Sequence, residues 1–266
     1  MDSNLLIICG LTFVIHLIGT LAYAVRIAGT RTQRIALSLS LFNILVLVSR
    51  TSNSFQSPLL AKRVEENIGA GFLESGAADF RWLLASATLA TLLGAVLIPT
   101  FQRLFARWVE ALGQRRSPVV LLRLAISPVM LAHLREAAVM PRWSNLRTAR
   151  APHIPWSVIA LNTVAMAVWS VGVFAALYAG YLRPELRVTA SQMSAVVNGV
   201  ATILMFVFID PYLSLMSDDV AAGKVDEPYF RRSVVWLTGS RLAGTVLAQV
   251  ILVPAAFWIV TVAEWL

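Results

Sequence analysis

Six long apolar stretches constrain this chain more than any other feature of its sequence. They lie at about residues 4–25, 35–55, 82–100, 156–182, 191–209 and 234–262. About 20 apolar residues in a helix cross the hydrocarbon core of a bilayer, where every backbone polar group must be bonded internally. Only 14% of the residues are charged, against about 25% in a soluble domain. The sequence therefore predicts an all-α integral membrane protein, a single polytopic domain over residues 1–266 with six transmembrane helices.

A seventh apolar stretch, at about residues 117–138, is interrupted. Ser117 followed by proline is a good helix start, but Arg123, Pro128 and His133 shorten the apolar run. Runs shorter than a full span more often form interfacial or re-entrant segments. A full crossing here would also place the basic residues after the stretch on the opposite side of the membrane from those before it. A cytoplasmic linker keeps both groups on the side where Lys and Arg are in excess. We therefore expect one interfacial or re-entrant amphipathic helix instead of a seventh span.

The basic residues predict the orientation. Of the 22 Lys and Arg residues, 15 fall in segments 26–34, 101–155 and 210–232, six fall in segments 50–81 and 182–190, and Arg241 lies within a span. Cytoplasmic loops carry the excess of Lys and Arg, so we expect a multi-pass membrane protein with both termini outside. The net charge of +8 suggests contact with anionic headgroups and no nucleic-acid partner.

Residues 43–63 concentrate polar groups at the end of an apolar run. Arg50 follows the run and is accompanied by Ser52, Asn53 and Gln56. Charged residues in or beside spans usually face a bundle interior or a watery cavity. By this interpretation, the stretch forms a polar pocket that receives an anionic or hydroxyl-rich ligand. The alternative is a helix end at the headgroups, with Arg50 snorkelling to phosphate. Both interpretations stay open on residue chemistry alone.

Other polar residues lie at mid-span depth. Most such residues make interhelical hydrogen bonds, and we expect the same packed role for His16. Arg241 lies either at a cavity or snorkels to the cytoplasmic surface. Asp210 is the acidic residue most suited to pair with a buried Arg. The clearest mid-span polar residues are Asn43, Asn162, Asn198, Thr202, Arg241 and Gln249.

Motifs for hydrolysis and nucleotide binding are missing from the sequence. The three histidines form no His-Glu-x-x-His zinc motif, and no phosphate loop ends in Gly-Lys-Ser/Thr. Cys9 is the only cysteine, so no cysteine metal cluster can form. We expect no catalytic residue, no metal site and no cofactor.

Three segments carry a resemblance to a known family. Residues 13–18 (FVIHLI), 23–29 (YAVRIAG) and 40–51 (SLFNILVLVSRT) resemble the Amj family of bacterial lipid II flippases, and Asp210 with the proline after it is similar too. The resemblance covers nearly the whole chain and is most specific in the first two spans. It implies transport of the polyprenyl diphosphate-linked disaccharide-peptide, lipid II, to the outer leaflet, as an alternative to the MurJ flippases.

Residue chemistry assigns the substrate contacts, since the resemblance supplies no motif. Arg offers permanently charged, bidentate donors to a diphosphate, so Arg50 and Arg241 are expected to bind it after Arg26 receives it on the cytoplasmic side. Ser52, Asn53 and Gln56 would meet the head at the outer exit.

Two other functions remain open at this stage. One is a membrane enzyme acting on polyprenyl diphosphates, and the other is an assembly partner of cell-wall synthesis without transport activity. A homodimer is plausible because six spans are few for a large headgroup.

Overall fold

The computed structural model describes residues 2–72, 75–115, 129–139 and 154–266. The described residues are almost entirely helical. The α-helices are α1 (Ser3–Thr32), α2 (Ile35–Gly69), α3 (Ser75–Arg115), α4 (Val129–Ala137), α5 (Trp156–Leu182), α6 (Arg187–Leu204), α7 (Asp210–Ala221) and α8 (Glu227–Trp265). A 3-10 turn (Pro184–Leu186) precedes α6, and a π-helix (Met205–Ile209) joins α6 to α7 without a break.

Six helices in the described ranges are long and apolar enough to cross a membrane. They are α1, α2, α3, α5, α8 and the continuous helix Pro184–Ala221. The predicted all-α membrane fold is therefore confirmed. Each predicted span lies within one of these helices, and the depth at which the bilayer surrounds each helix stays a prediction.

Several helices continue past the predicted spans. The connection between the second and third predicted spans, which the basic residues assign to the outer side, is helical to Gly69 and again from Ser75. Segment 210–232 is helical to Ala221 and again from Glu227. Lys, Arg and Glu are good helix formers, so a helix need not end where the apolar run ends. The connection between α2 and α3 is correspondingly short, and Gly71 takes a positive φ of 78° within it.

Part of the predicted interfacial helix falls in α4. Residues 117–128 of that prediction lie outside the described residues. The nine residues of α4 rise only about 14 Å, at about 1.5 Å each, which is less than half of a bilayer core. The segment is fixed to α3, because the Thr100 hydroxyl bonds the backbone of Val139 and Arg107 pairs with Glu136 at 2.9 Å. Its place at the membrane interface stays a prediction.

The six long helices form an arc. In space their order is α2, α1, α3, α8, α5 and α6, each packed mainly on its neighbours in that order. Within the described chain, α2 and α6 stand at the two ends of the arc and share almost no direct contact. The arc therefore has a concave side, and a lateral cleft separates α2 from α6.

Two buried apolar clusters among the described residues pack the same helices together, one towards each end of their long axes. One contains Leu21, Phe105 and Leu237. The other contains Phe80 and Leu252, with the ring of Phe80 stacked on Phe174 at 6.0 Å. Each cluster joins helices that are distant in sequence, so the helices are held together towards both ends of their length.

A cluster of three charges fastens the N-terminus. Asp2 caps α1 by accepting from the Leu5 amide at 2.8 Å. The Arg63 guanidinium donates to Asp2 and to Asp79, each at 2.6 Å. This cation and the Leu5 amide hold the pKa of the Asp2 carboxyl below its ordinary value. The start of α1 is thereby tied to α2 and α3 at one end of the bundle.

Candidate functional site

The concave side of the arc contains a cavity of about 280 Å³. Side chains from α1, α2, α5, α8 and the continuous helix through the π-helix line it. Pockets for small molecules span roughly 300–1,000 Å³, so this one is near the lower limit. Most of its wall is apolar, and a limited number of polar and charged groups converge on it.

One face of α1 forms the back wall. Thr12, His16, Gly19, Tyr23 and Arg26 all line the cavity. They recur every three or four residues, which places them on one side of a helix. From Thr12 to Arg26 this polar face extends about 21 Å at 1.5 Å per residue, so the cavity follows most of the first span.

The register between α1 and α2 gives the depth of Arg50. Gln56 bonds the Thr12 hydroxyl, and the Arg26 guanidinium lies 5.7 Å from the centre of the Phe42 ring. These two contacts fix the antiparallel pairing, which sets Arg50 level with Ile18 near the middle of α1. The Arg50 residue is exposed and lines the cavity. Its depth along α1 is intermediate between the two ends of the cavity.

Arg241 enters the cavity from the opposite side, on α8. Its side chain covers Gly19, where an added Cβ would stand 2.3 Å from Nη2. Nη1 contacts the Met166 sulfur at 3.2 Å, Tyr23 lies alongside, and Nε is buried without a partner among the described residues. Of the two positions considered for Arg241, the structure has the one at the cavity, at the same level of α1 as Arg50.

Arg26 lies towards the other end of the cavity and is already paired. It donates to the Asp210 carboxylate at 2.9 Å and to the Ser214 hydroxyl at 3.3 Å. The Arg26 side chain is 10% exposed and that of Asp210 is 37% exposed. The prediction that Asp210 pairs with a buried Arg is confirmed, and the partner is Arg26.

The π-helix brings Asp210 to the cavity. Met205, Phe206, Ile209 and Asp210 all line it. The proline after Asp210 has no amide hydrogen, so it cannot make the usual bond to the carbonyl four residues earlier. A π-turn at this point widens the helix by one residue per turn, and such bulges are common at functional sites.

The outer-exit residues of α2 separate into two groups. Asn53 and Gln56 line the cavity, although Gln56 is only 5% exposed and its amide is engaged by Thr12. Ser52 does not line the cavity, and its hydroxyl bonds the Val48 carbonyl of its own helix at 3.1 Å. The structure does not bring Ser52 to the cavity, and its role as a substrate contact stays a prediction.

Charge is unevenly distributed along the cavity. Among the residues that the structure describes, the charged ones that line it are Arg26, Arg50, Arg241 and Asp210, which gives a formal charge of +2. Arg26 and Asp210 are at one end, and the other two Arg are at mid-depth. Thr12, Asn53 and Gln56, beyond them, are neutral. The cavity is thus suited to an anion at mid-depth with neutral hydrogen-bonding groups on one side of it.

Sequence reasoning did not assign three polar side chains of the cavity to the site. The buried atoms His16 Nδ1, Ser170 Oγ and Asn198 Oδ1 have no hydrogen-bond partner in the described part of the chain, and all three residues line the cavity. The interhelical bond expected for His16 is not found at Nδ1. Depth alone could not distinguish these residues from Asn162, which does bond α8 through Leu237 and Ser240 at 3.0 and 2.7 Å.

Comparison with known proteins places the chain in a family. A family model described as "Amj: Alternate to MurJ" matches residues 11–263. The "Lipid II flippase Amj" of Bacillus subtilis (strain 168) is 37% identical over 262 residues, which cover 98% of this chain and 97% of that relative. No solved structure matches. The matching family model and the full-length relative show that this chain belongs to the Amj family.

Proposed function

We propose that this chain is a lipid II flippase, which moves the undecaprenyl diphosphate-linked peptidoglycan precursor from the inner to the outer leaflet of the cytoplasmic membrane. The observation that carries the proposal is the full-length relationship to a relative that bears this name. The cavity supports it with a cationic middle, since a diphosphate is the anionic part of this substrate. The function is transport, with no covalent step on the lipid.

The path of the head follows the charges of the cavity. Arg26 receives the diphosphate at the cytoplasmic end, where the phosphate oxygens replace the Asp210 carboxylate on its guanidinium. Arg50 and Arg241 hold the diphosphate at mid-depth through charge-assisted hydrogen bonds, which are about twice as strong as neutral ones. Asn53 and Gln56 meet the head beyond this point. This order rests on the predicted orientation with both termini outside.

The polyprenyl tail stays in lipid throughout. The cleft between α2 and α6 is the opening that we assign to the tail, and the apolar ring of Phe206 lines the cavity from the π-helix on the α6 side. A tail that leaves through this cleft keeps its hydrocarbon in the membrane while the head crosses inside the arc.

The cavity is too small for the entire head. A disaccharide with a peptide is larger than a typical drug-sized ligand, and the cavity of about 280 Å³ is below the roughly 300–1,000 Å³ of small-molecule pockets. Transport therefore requires α2 and α6 to separate further, and the small contact between them makes this the least costly movement of the arc. A homodimer stays a prediction.

A test in cells uses a bacterium whose own lipid II flippases can be depleted. Expression of this chain should sustain growth after depletion, with lipid II staying at its normal level. Lysis together with accumulation of lipid II would contradict the proposal, provided that the chain is present in the membrane. An assembly partner without transport activity would give that second result.

A further inference from the structure

Three buried polar atoms in one wall of the cavity lack partners. They are His16 Nδ1, Ser170 Oγ and Asn198 Oδ1, within the part of the chain that the structure describes. His16 and Ser170 are each only 4% exposed. More than nine in ten buried polar groups have a hydrogen-bond partner, and each exception costs about 1–3 kcal/mol. These three neutral exceptions, in the same cavity as the unpartnered Arg241 Nε, suggest a ligand that supplies the missing bonds.

The three residues converge from three helices. His16 is on α1, Ser170 on α5 and Asn198 on α6, and all line the cavity. The Asn198 oxygen lies over Gly172, where an added Cβ would be 2.3 Å from it. Glycine at this position lets the Asn198 amide pack closely against α5.

This group adjoins the mid-depth cations. His16 is three residues, about one turn, from Gly19, which Arg241 covers. Ser170 is four residues from Met166, which Arg241 contacts at 3.2 Å. One helical turn is about 5.4 Å, so the three polar groups begin about one turn beyond the position proposed for the diphosphate, on the side away from Arg26.

The chemistry of this group suits hydroxyls. An imidazole, a hydroxyl and an amide can each exchange hydrogen bonds with a group that both donates and accepts. No formal charge is present among the three. Trp169 and Phe174 line the same wall from α5 and offer flat apolar surfaces. A sugar ring has hydroxyls around its edge and apolar surfaces on its two faces. It therefore matches these side chains better than a phosphate does.

We infer that His16, Ser170 and Asn198 form a sugar-binding subsite, which takes the first sugar ring after the diphosphate and makes the protein select glycosylated over bare polyprenyl diphosphates. The inference rests on the proposed function, because it takes the diphosphate position from it. The inference goes beyond that function by naming the first sugar ring as the part of the substrate that these residues recognise.

The test compares binding of two probes, lipid II and undecaprenyl diphosphate, to the purified full-length protein in lipid nanodiscs. Wild type should bind lipid II more tightly. Ser170→Ala and Asn198→Ala should each weaken lipid II binding about threefold to tenfold, since a neutral hydrogen bond contributes about 0.5–1.5 kcal/mol. Both variants should bind undecaprenyl diphosphate as wild type does.

Thr163→Ala is the matched control. Its hydroxyl is on the same helix as Ser170 but bonds the Ile159 carbonyl at 2.9 Å. It should change neither affinity. The unliganded Ser170→Ala protein should melt no lower than wild type, because it loses a buried hydroxyl without a partner. A lower melting temperature would show a structural role for Ser170.

The outcomes separate the subsite from the proposed function. Two results would overturn the subsite: equal wild-type affinity for the two probes, or variants that lose affinity equally for both. Either result would leave the proposed transport function standing. Wild-type protein that binds neither probe would overturn the proposed function, and the subsite with it.

Discussion

At the residue scale, Arg50 and Arg241 differ in how firmly they are held. Arg241 is wedged over Gly19 and against Met166, whereas Arg50 is exposed. Arg241 is thus preorganised for an anion, and Arg50 can follow one. The sequence predicted the presence of both cations near spans, but the level they share follows from helix register, which a single sequence does not contain.

Arg50→Ala and Arg241→Ala should each lower lipid II transport at least about tenfold, since a hydrogen bond to a charged group contributes about 1.5–3 kcal/mol. Lys should restore only part of the rate at either site, because an ammonium keeps the charge but loses the bidentate fork. Transport in proteoliposomes would measure this. Arg31→Ala, an exposed arginine outside the cavity, is the control. Near-normal transport by both Lys variants would support snorkelling instead.

Gly19→Ala tests whether the position of Arg241 matters. The new methyl group would stand 2.3 Å from Arg241 Nη2, and the flexible end of that side chain would give way while the helix stays intact. We expect transport to fall several-fold with little change in melting temperature. Gly10→Ala is the matched control, since nothing lies within 4 Å of a Cβ at Gly10. Equal transport by the two variants would show that displacing Arg241 has no consequence.

At the element scale, hydropathy located all six long helices but not their ends or the π-helix. The ends were missed because charged residues continue a helix outside the hydrocarbon core. The π-helix directly precedes the proline after Asp210 and packs against α5, and neither feature has an apolar signature. Ser52, which is two residues from Arg50, does not line the cavity, because residues two apart on a helix lie on different sides of it, and its role as a substrate contact stays a prediction.

The ion pair between α1 and α7 should compete with the substrate for Arg26. Asp210→Asn removes the carboxylate at 2.9 Å, so Arg26 should hold a diphosphate more tightly and release it more slowly. We expect tighter binding of undecaprenyl diphosphate together with slower lipid II transport. Binding and transport measured on the same preparation would show both effects.

Asp219→Asn is the control for this change. Asp219 pairs with Lys224 at 3.4 Å and does not line the cavity, so neither quantity should change. Weaker diphosphate binding in Asp210→Asn would mean that the carboxylate positions Arg26 for the substrate and does not compete with it.

At the scale of the whole molecule, the orientation in the membrane decides the direction of the proposed path. Ala70 and Ala222 are exposed residues in the turns after α2 and α7, which the basic residues assign to opposite sides. In a Cys9→Ser background, an impermeant thiol reagent added to intact cells should label Ala70→Cys and not Ala222→Cys. Labelling of Ala222→Cys alone would invert the orientation and place Arg26 at the outer end.

Transport by the purified protein is the most direct test of the account. Wild type would be reconstituted into liposomes with fluorescent lipid II, and an impermeant reagent would report how fast heads from the inner leaflet become accessible outside. We predict faster exposure than in protein-free liposomes, and a rate close to protein-free for Arg50→Ala. A wild-type rate equal to that of protein-free liposomes, with folded protein present, would contradict the central claim.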